Sequence, residues 1–191
     1  MDNIIDPQGL DHLIRKIVSE RSSKRNFLPD PVSNELVKDI IQDASRAPSG
    51  TNTQPWKVTC VTGGTKKKLT NAVLEAAETG NANLEYEYMP PNLREPYIYR
   101  KREVGYALYE LYGIKRDDYP ARTAAMLRNF EFFGAPVGLF FRMDRELLYG
   151  SWLDVGMFMQ NVMILARGKG LETCPQQAWC EFGHIVHKVL N

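Results

Sequence analysis

Residues 152–166 are apolar on nearly every side, and this run constrains the fold more than any other stretch of the chain. A helix of that composition has to bury all of its faces, so the remaining elements must be built around it. Gly168 and Gly170 mark its end. The elements that would surround it can be read from spacing. Leu10, Leu13, Ile14, Ile17 and Val18 recur at helical intervals, which predicts a first helix ending near Glu20. Ser33 is placed to cap a second helix, with Glu35 in its first turn and Leu36, Val37, Ile40, Ile41 and Ala44 as its apolar stripe, ending at Arg46-Ala47-Pro48. Strands are expected at residues 56–61 and 137–143, with a weak third at 171–174. Gly63-Gly64 should end the first strand. Further helices are expected at 65–77, 100–112, 122–133 and 182–190. Two strong strands among helices, without regular alternation, predict an α+β fold in which helices cover a small, mainly antiparallel sheet.

With 191 residues, 43% of them hydrophobic, one domain over residues 1–191 is the expectation. Charge narrows the partners: 24 Lys and Arg stand against 23 Asp and Glu, so there is no broad basic surface for nucleic acid. The start, MDNIIDPQGL, lacks the basic and apolar regions of a secretory signal, and no apolar run approaches a membrane span, which predicts a cytoplasmic chain with no membrane partner. Three cysteines, Cys60, Cys174 and Cys180, give no disulfide framework. Cys180, His184 and His187 share helical spacing, but no fourth ligand is in sight and no metal is expected. Residues 78–120 are rich in tyrosine and broken by prolines, as in a lid or partner-contacting excursion, or in a segment whose rings fill core.

Two segments carry chemistry. Arg21-Ser22-Ser23-Lys24-Arg25 sets three cations and two hydroxyls directly after a helix, a composition that suits a phosphate group but, taken alone, more often marks a solvated basic loop. Residues 47–56, APSGTNTQPW, form an uncharged loop of turn residues and carboxamides running into a strand. Its amides suit the rim of a flat heteroaromatic ring, although a plain helix-to-strand connection has the same composition.

Taken together, RSSKRNF followed by a helix and APSGTNTQPW, with ETCPQQAW near the end, resembles the flavin-dependent nitroreductase family. That resemblance implies a homodimer with FMN at the subunit interface, NAD(P)H as co-substrate and a small aromatic acceptor, a nitroaromatic or quinone, reduced by ping-pong hydride transfer. It implies that Arg21, Ser22 and Ser23 hold the phosphate and ribityl chain, and that Arg25 lies by N1 and O2 of the ring, where a cation stabilises developing negative charge. Pro48, Ser49, Gly50 and Asn52 would reach the flavin from the partner chain. Pro175, Gln176, Gln177 and Ala178 would line the ring near N5. Gln54 and Trp56 match the motif and are expected to pack. No acid or base residue is required, since water can supply protons. Family members continue past the last helix into a strand that crosses to the partner, with a basic residue returning to the phosphate; this sequence ends at Leu190-Asn191, so that strand is not expected here. Reductive dehalogenation, a non-catalytic flavin-binding role and a cofactor-free remnant are the alternatives.

Overall fold

A computed structural model of the chain describes residues 6–190; Met1 to Ile5, half of the N-terminal stretch read above, and Asn191 lie outside the described residues. The chain divides into two compact units, Met1–Lys66 with Gly134–Pro175, and Lys67–Phe133 with Gln176–Asn191.

The first unit holds the sheet. Helix α1 (Pro7–Glu20) opens with the Asp6 carboxylate accepting from Gln8 and Gly9 amides and with proline at its first position, which needs no N–H there. Helix α2 (Asn34–Ala44) is capped by Ser33, whose hydroxyl accepts from the Leu36 amide, and it buries Val37, Ile40 and Ala44. Strand β1 (Lys57–Val61) pairs antiparallel with β2 (Gly138–Arg142), Lys57 opposite Arg142 and Val61 opposite Gly138. The expected third strand is a single parallel bridge, Ser23 to Thr173. Pro175 has no N–H to extend that ladder.

The apolar run becomes the 20-residue helix Tyr149–Gly168, and it is buried on one face only. Asp154, Phe158, Val162 and Ala166 recur every fourth residue on that face, and the last three pack with Ile40, Ala44 and Ala47. Phe158, fully buried, stacks on Trp56 with ring centres 4.8 Å apart and meets Phe141 edge-on at 5.8 Å. Trp56 therefore packs, as the sequence suggests. On the opposite face Trp152, Leu153 and Met157 stay 40–71% exposed, contrary to the expectation of all-round burial, because α1, α2 and the sheet cover only part of the circumference.

In chain order the remaining helices are α3 (Gly63–Glu78), α4 (Tyr97–Leu111), α5 (Tyr119–Leu127), α6, which is the apolar helix just described, and α7 (Gly183–Leu190). Gly63 does end β1, turning at φ 49°, and it also opens α3 two residues before the predicted start. Helix α3 passes from the first unit into the second, where Leu69, Val73 and Ala76 are buried. The helix predicted over 122–133 is broken: α5 stops at Leu127 and a 3-10 turn, Arg128–Gly134, follows. Phe132 and Phe133 adopt φ of 55° and 52° there, outside helical space. Their rings are buried in return, Phe132 against Trp179, while Phe130 meets Trp179 and Phe182 edge-on. The Thr70 hydroxyl donates to the Phe130 carbonyl at 2.7 Å and fixes this turn. Helix α4 buries no residue, so the tyrosine-rich excursion does not fill core with its helix. Arg122 and Arg128 instead lie over the rings of Tyr109 and Tyr112. No described helix is long and apolar enough to cross a membrane.

Candidate functional site

The basic loop is held by backbone before any side chain is considered. Arg21 leaves α1 in extended conformation, its N–H still donating to the Ile17 carbonyl. Two residues later the chain runs beside Thr173, where the Ser23 bridge and the Lys24 N–H to Thr173 carbonyl bond of 3.1 Å join residues 21–25 to residues 173–175. Arg25 donates weakly to the Ser23 carbonyl at 3.4 Å, and its charge lies close enough to draw the Cys174 thiol down, although burial outweighs it and pushes that thiol up. Arg21 carries the chemical signal of the loop. Its Nη1 is buried and donates to no acceptor among the described residues. An unmatched buried guanidinium N–H costs about 1–3 kcal/mol, a cost that an anionic oxygen brought by a ligand would remove. Ser22 and Ser23, next in sequence, add two hydroxyls to the loop, and such a set of donors suits a phosphate ester.

The uncharged loop is anchored separately, on α6. Gly50 donates its N–H to both carboxylate oxygens of Asp154, at 3.3 and 3.2 Å. Asp154 is 7% exposed and is the buried charged side chain of the described residues. The loop itself is tightly wound: Thr51, Asn52 and Gln54 take φ of 49°, 60° and 46°, a region non-glycine residues rarely occupy. Ser49 Oγ accepts from the Gln54 N–H and Asn52 Oδ1 accepts from Gln54 Nε2, both at 3.0 Å, which holds that conformation. Gln54 thus braces the loop from an exposed position instead of packing into core. Pro48, Gly50 and Asn52 stay exposed and Ser49 is half-buried, so the loop presents its rim outward.

In the second unit Gln176 donates from Nε2 to the carbonyl and side-chain oxygens of Asn129, at 2.9 and 3.1 Å. Ala178 opens a 3-10 turn, Ala178–Phe182, and the Gln177 carbonyl accepts from the Cys180 N–H. Cys180 in turn takes a 3.6 Å contact from the Tyr86 hydroxyl. Burial first, then the Cys180 thiol, push the Tyr86 hydroxyl up to about 12, with a Gln177 hydrogen bond opposing them. Among the described residues no group of three or more His, Cys, Asp or Glu is arranged to hold a metal.

The structure therefore brings the Arg21 to Arg25 loop beside Thr173 and Cys174, which precede Pro175, in the first unit, and anchors the Pro48 to Asn52 loop on α6 through Gly50. Gln176, Gln177 and Ala178 follow in the second unit. Sequence reasoning missed Asp154, for which a lone carboxylate inside the apolar run was the available signal, and it read Thr173 only as part of a weak strand, not as the partner of Ser23.

The model of the nitroreductase family matches residues 18–191. A nitrobenzene nitroreductase of Ectopseudomonas oleovorans is 42% identical over 184 residues, which cover 95% of this chain and 79% of the relative. A chloronitrobenzene nitroreductase of Comamonas testosteroni is 43% identical over the same shares. The crystal structure of the FMN and NADPH-dependent nitroreductase NfnB from Sphigopyxis sp. strain HMH superposes with a TM-score of 0.91 at 38% identity, covering 93% of this chain and 80% of that one. The chain belongs to the nitroreductase family.

Proposed function

We propose that this chain is an FMN-dependent oxidoreductase that uses NAD(P)H to reduce a nitroaromatic or quinone, acting in the cytoplasm as a homodimer with FMN at the subunit interface. The observation that carries the reading is Arg21: a half-buried arginine whose buried Nη1 has no acceptor among the described residues, followed in sequence by two serines, on a loop bridged to Thr173. The similar proteins, nitrobenzene, chloronitrobenzene and 4-nitrobenzoate reductases, support the acceptor class. The NADPH dependence of the superposed NfnB supports the co-substrate.

The chemistry that FMN supplies when bound is hydride transfer from NAD(P)H to the acceptor, in two half-reactions at one ring face. The protein's part is placement. Arg21, Ser22 and Ser23 would hold the phosphate, Arg25 would set a positive charge by N1 and O2 of the ring, and Pro175 would contribute backbone beside it. Pro48, Ser49, Gly50 and Asn52 would serve the flavin of the partner. Exposed apolar side chains support that pairing. Leu10, Leu13, Ile14 and Val18 of α1 are 46–53% exposed, and α6, which contacts α1, shows Trp152, Leu153 and Met157.

The test is spectroscopic. After reconstitution with FMN the protein should be yellow, bleach on anaerobic NADPH, and regain colour on nitrobenzene or benzoquinone. Recovery on a halogenated phenol alone would favour dehalogenation. Colour that NADPH leaves unchanged would favour a flavin-binding role, and a colourless protein a cofactor-free remnant; either would overturn the reading.

A further inference from the structure

One ion-pair cluster in the first unit lies outside every role assigned so far. Arg167, in the last turn of α6, donates from Nη2 to Glu20 Oε2 and from Nη1 to Glu172 Oε1, each at 2.8 Å. Both acids are sequence neighbours of the candidate phosphate site. Glu20 is the last residue of α1, immediately before Arg21, and Glu172 immediately precedes Thr173, the residue that bridges Ser23. The backbone brings them into reach: after Gly168 the chain reverses through Gly170 at φ 77°, and the Leu171 N–H closes the turn on the Ala166 carbonyl at 2.9 Å. Ile17 also lies against Gly168, so the ends of α1 and α6 meet there. A guanidinium fork suits two carboxylates approaching from different elements, since its donors have fixed directions and a lysine ammonium offers only a point charge.

We propose that Arg167 is a positioning residue for the phosphate loop, clamping residue 20 to residue 172 so that Arg21 to Arg25 lie beside residues 173–175, and neutralising two carboxylates that would otherwise repel a phosphate. The proposal rests on the flavin reading above. It does not make Arg167 a ligand: its two donating nitrogens already serve Glu20 and Glu172. The half-exposed setting, with the Arg167 side chain 27% exposed and Glu20 43%, makes each bond modest, so the effect should appear in anion affinity more than in folding.

FMN and riboflavin, which share the ring and differ by the phosphate, separate this role from a general structural one. Dissociation constants for both, from flavin fluorescence quenching on the 191-residue chain, would be compared for Arg167→Met, Arg167→Lys and the triple variant Arg167→Met/Glu20→Gln/Glu172→Gln. Arg167→Met should weaken FMN binding about fivefold while riboflavin changes little. Arg167→Lys should lose less, and the triple variant should regain part of the affinity, because the uncompensated carboxylates are gone. If Arg167→Met does not fold, Arg167→Lys and its ratio of the two affinities carry the test. Equal losses for FMN and riboflavin, no loss for FMN, or a triple variant no better than Arg167→Met would overturn the proposal and leave the flavin reading standing. Failure of the unaltered chain to bind FMN would overturn both.

Discussion

Asp154 holds a loop by a single kind of contact, two carboxylate oxygens on one backbone N–H, and it does so inside the core. Asp154→Ala strands the Gly50 donor and should cost about 1–3 kcal/mol, whereas Asp154→Asn keeps an acceptor and should cost less. Urea denaturation of the two variants measures the difference, and equal stability would show that this bond does not support the loop. Tyr86 yields a pH-dependent counterpart. Its hydroxyl is pushed from 10.0 to about 12 in the folded chain, so the folded state keeps its proton where the unfolded state loses it. That contribution to stability is complete below pH 10 and disappears as pH rises from 10 towards 12. Tyr86→Phe should therefore flatten the alkaline fall in Tm over that interval, and an unchanged slope would refute the assignment. At this scale the candidate site is legible where chemistry shows in composition. Three cations and two hydroxyls in five residues single out residues 21–25 as a candidate loop, although composition alone also fits a solvated basic loop. The left-handed turn at Thr51, Asn52 and Gln54 was not legible, because its conformation is imposed by Ser49 and Asn52 side-chain bonds and by a carboxylate about 100 residues away in sequence.

Among elements, α6 organises the first unit through one line of side chains. Phe158 is the centre of that line, stacked on Trp56 ahead of β1 and touching Phe141 on β2, so its removal opens a hole that helix and sheet share. Phe158→Ala should cost about 3–5 kcal/mol in chemical denaturation. A loss below 1 kcal/mol would mean that the neighbouring rings collapse into the space. Element positions came through the sequence well where capping and periodicity agree, as for α2, whose Ser33 cap and buried Val37, Ile40 and Ala44 are the ones the spacing picks out. They failed where packing overrode local preference. Helical periodicity continues through residues 128–133, yet Phe132 and Phe133 leave helical space, and Phe130 and Phe132 meet Trp179 while Phe130 also meets Phe182. Composition also overstated the burial of α6, since apolar character says which faces seek cover and not what covers them.

At the scale of the whole molecule, the homodimer reading makes a subunit-mixing experiment decisive. If Arg21 serves its own chain's flavin and Asn52 serves the partner's, an Arg21→Ala chain paired with an Asn52→Ala chain has one intact site and one doubly damaged site. Mixing the two inactive variants should restore up to about half of the normal activity. No recovery, with subunit exchange verified by mass spectrometry, would assign both residues to one chain's site. The first unit also has a history written into its connectivity. It is made of two stretches with residues 67–133 between them. During synthesis β1 leaves the ribosome roughly 80 residues ahead of β2, a delay of roughly 4 to 16 s at about 5–20 residues per second. Through that interval Val37, Ile40 and Ala44 have no α6 to cover them, and the nascent chain must be shielded by a chaperone or risk association with its neighbours on the same message.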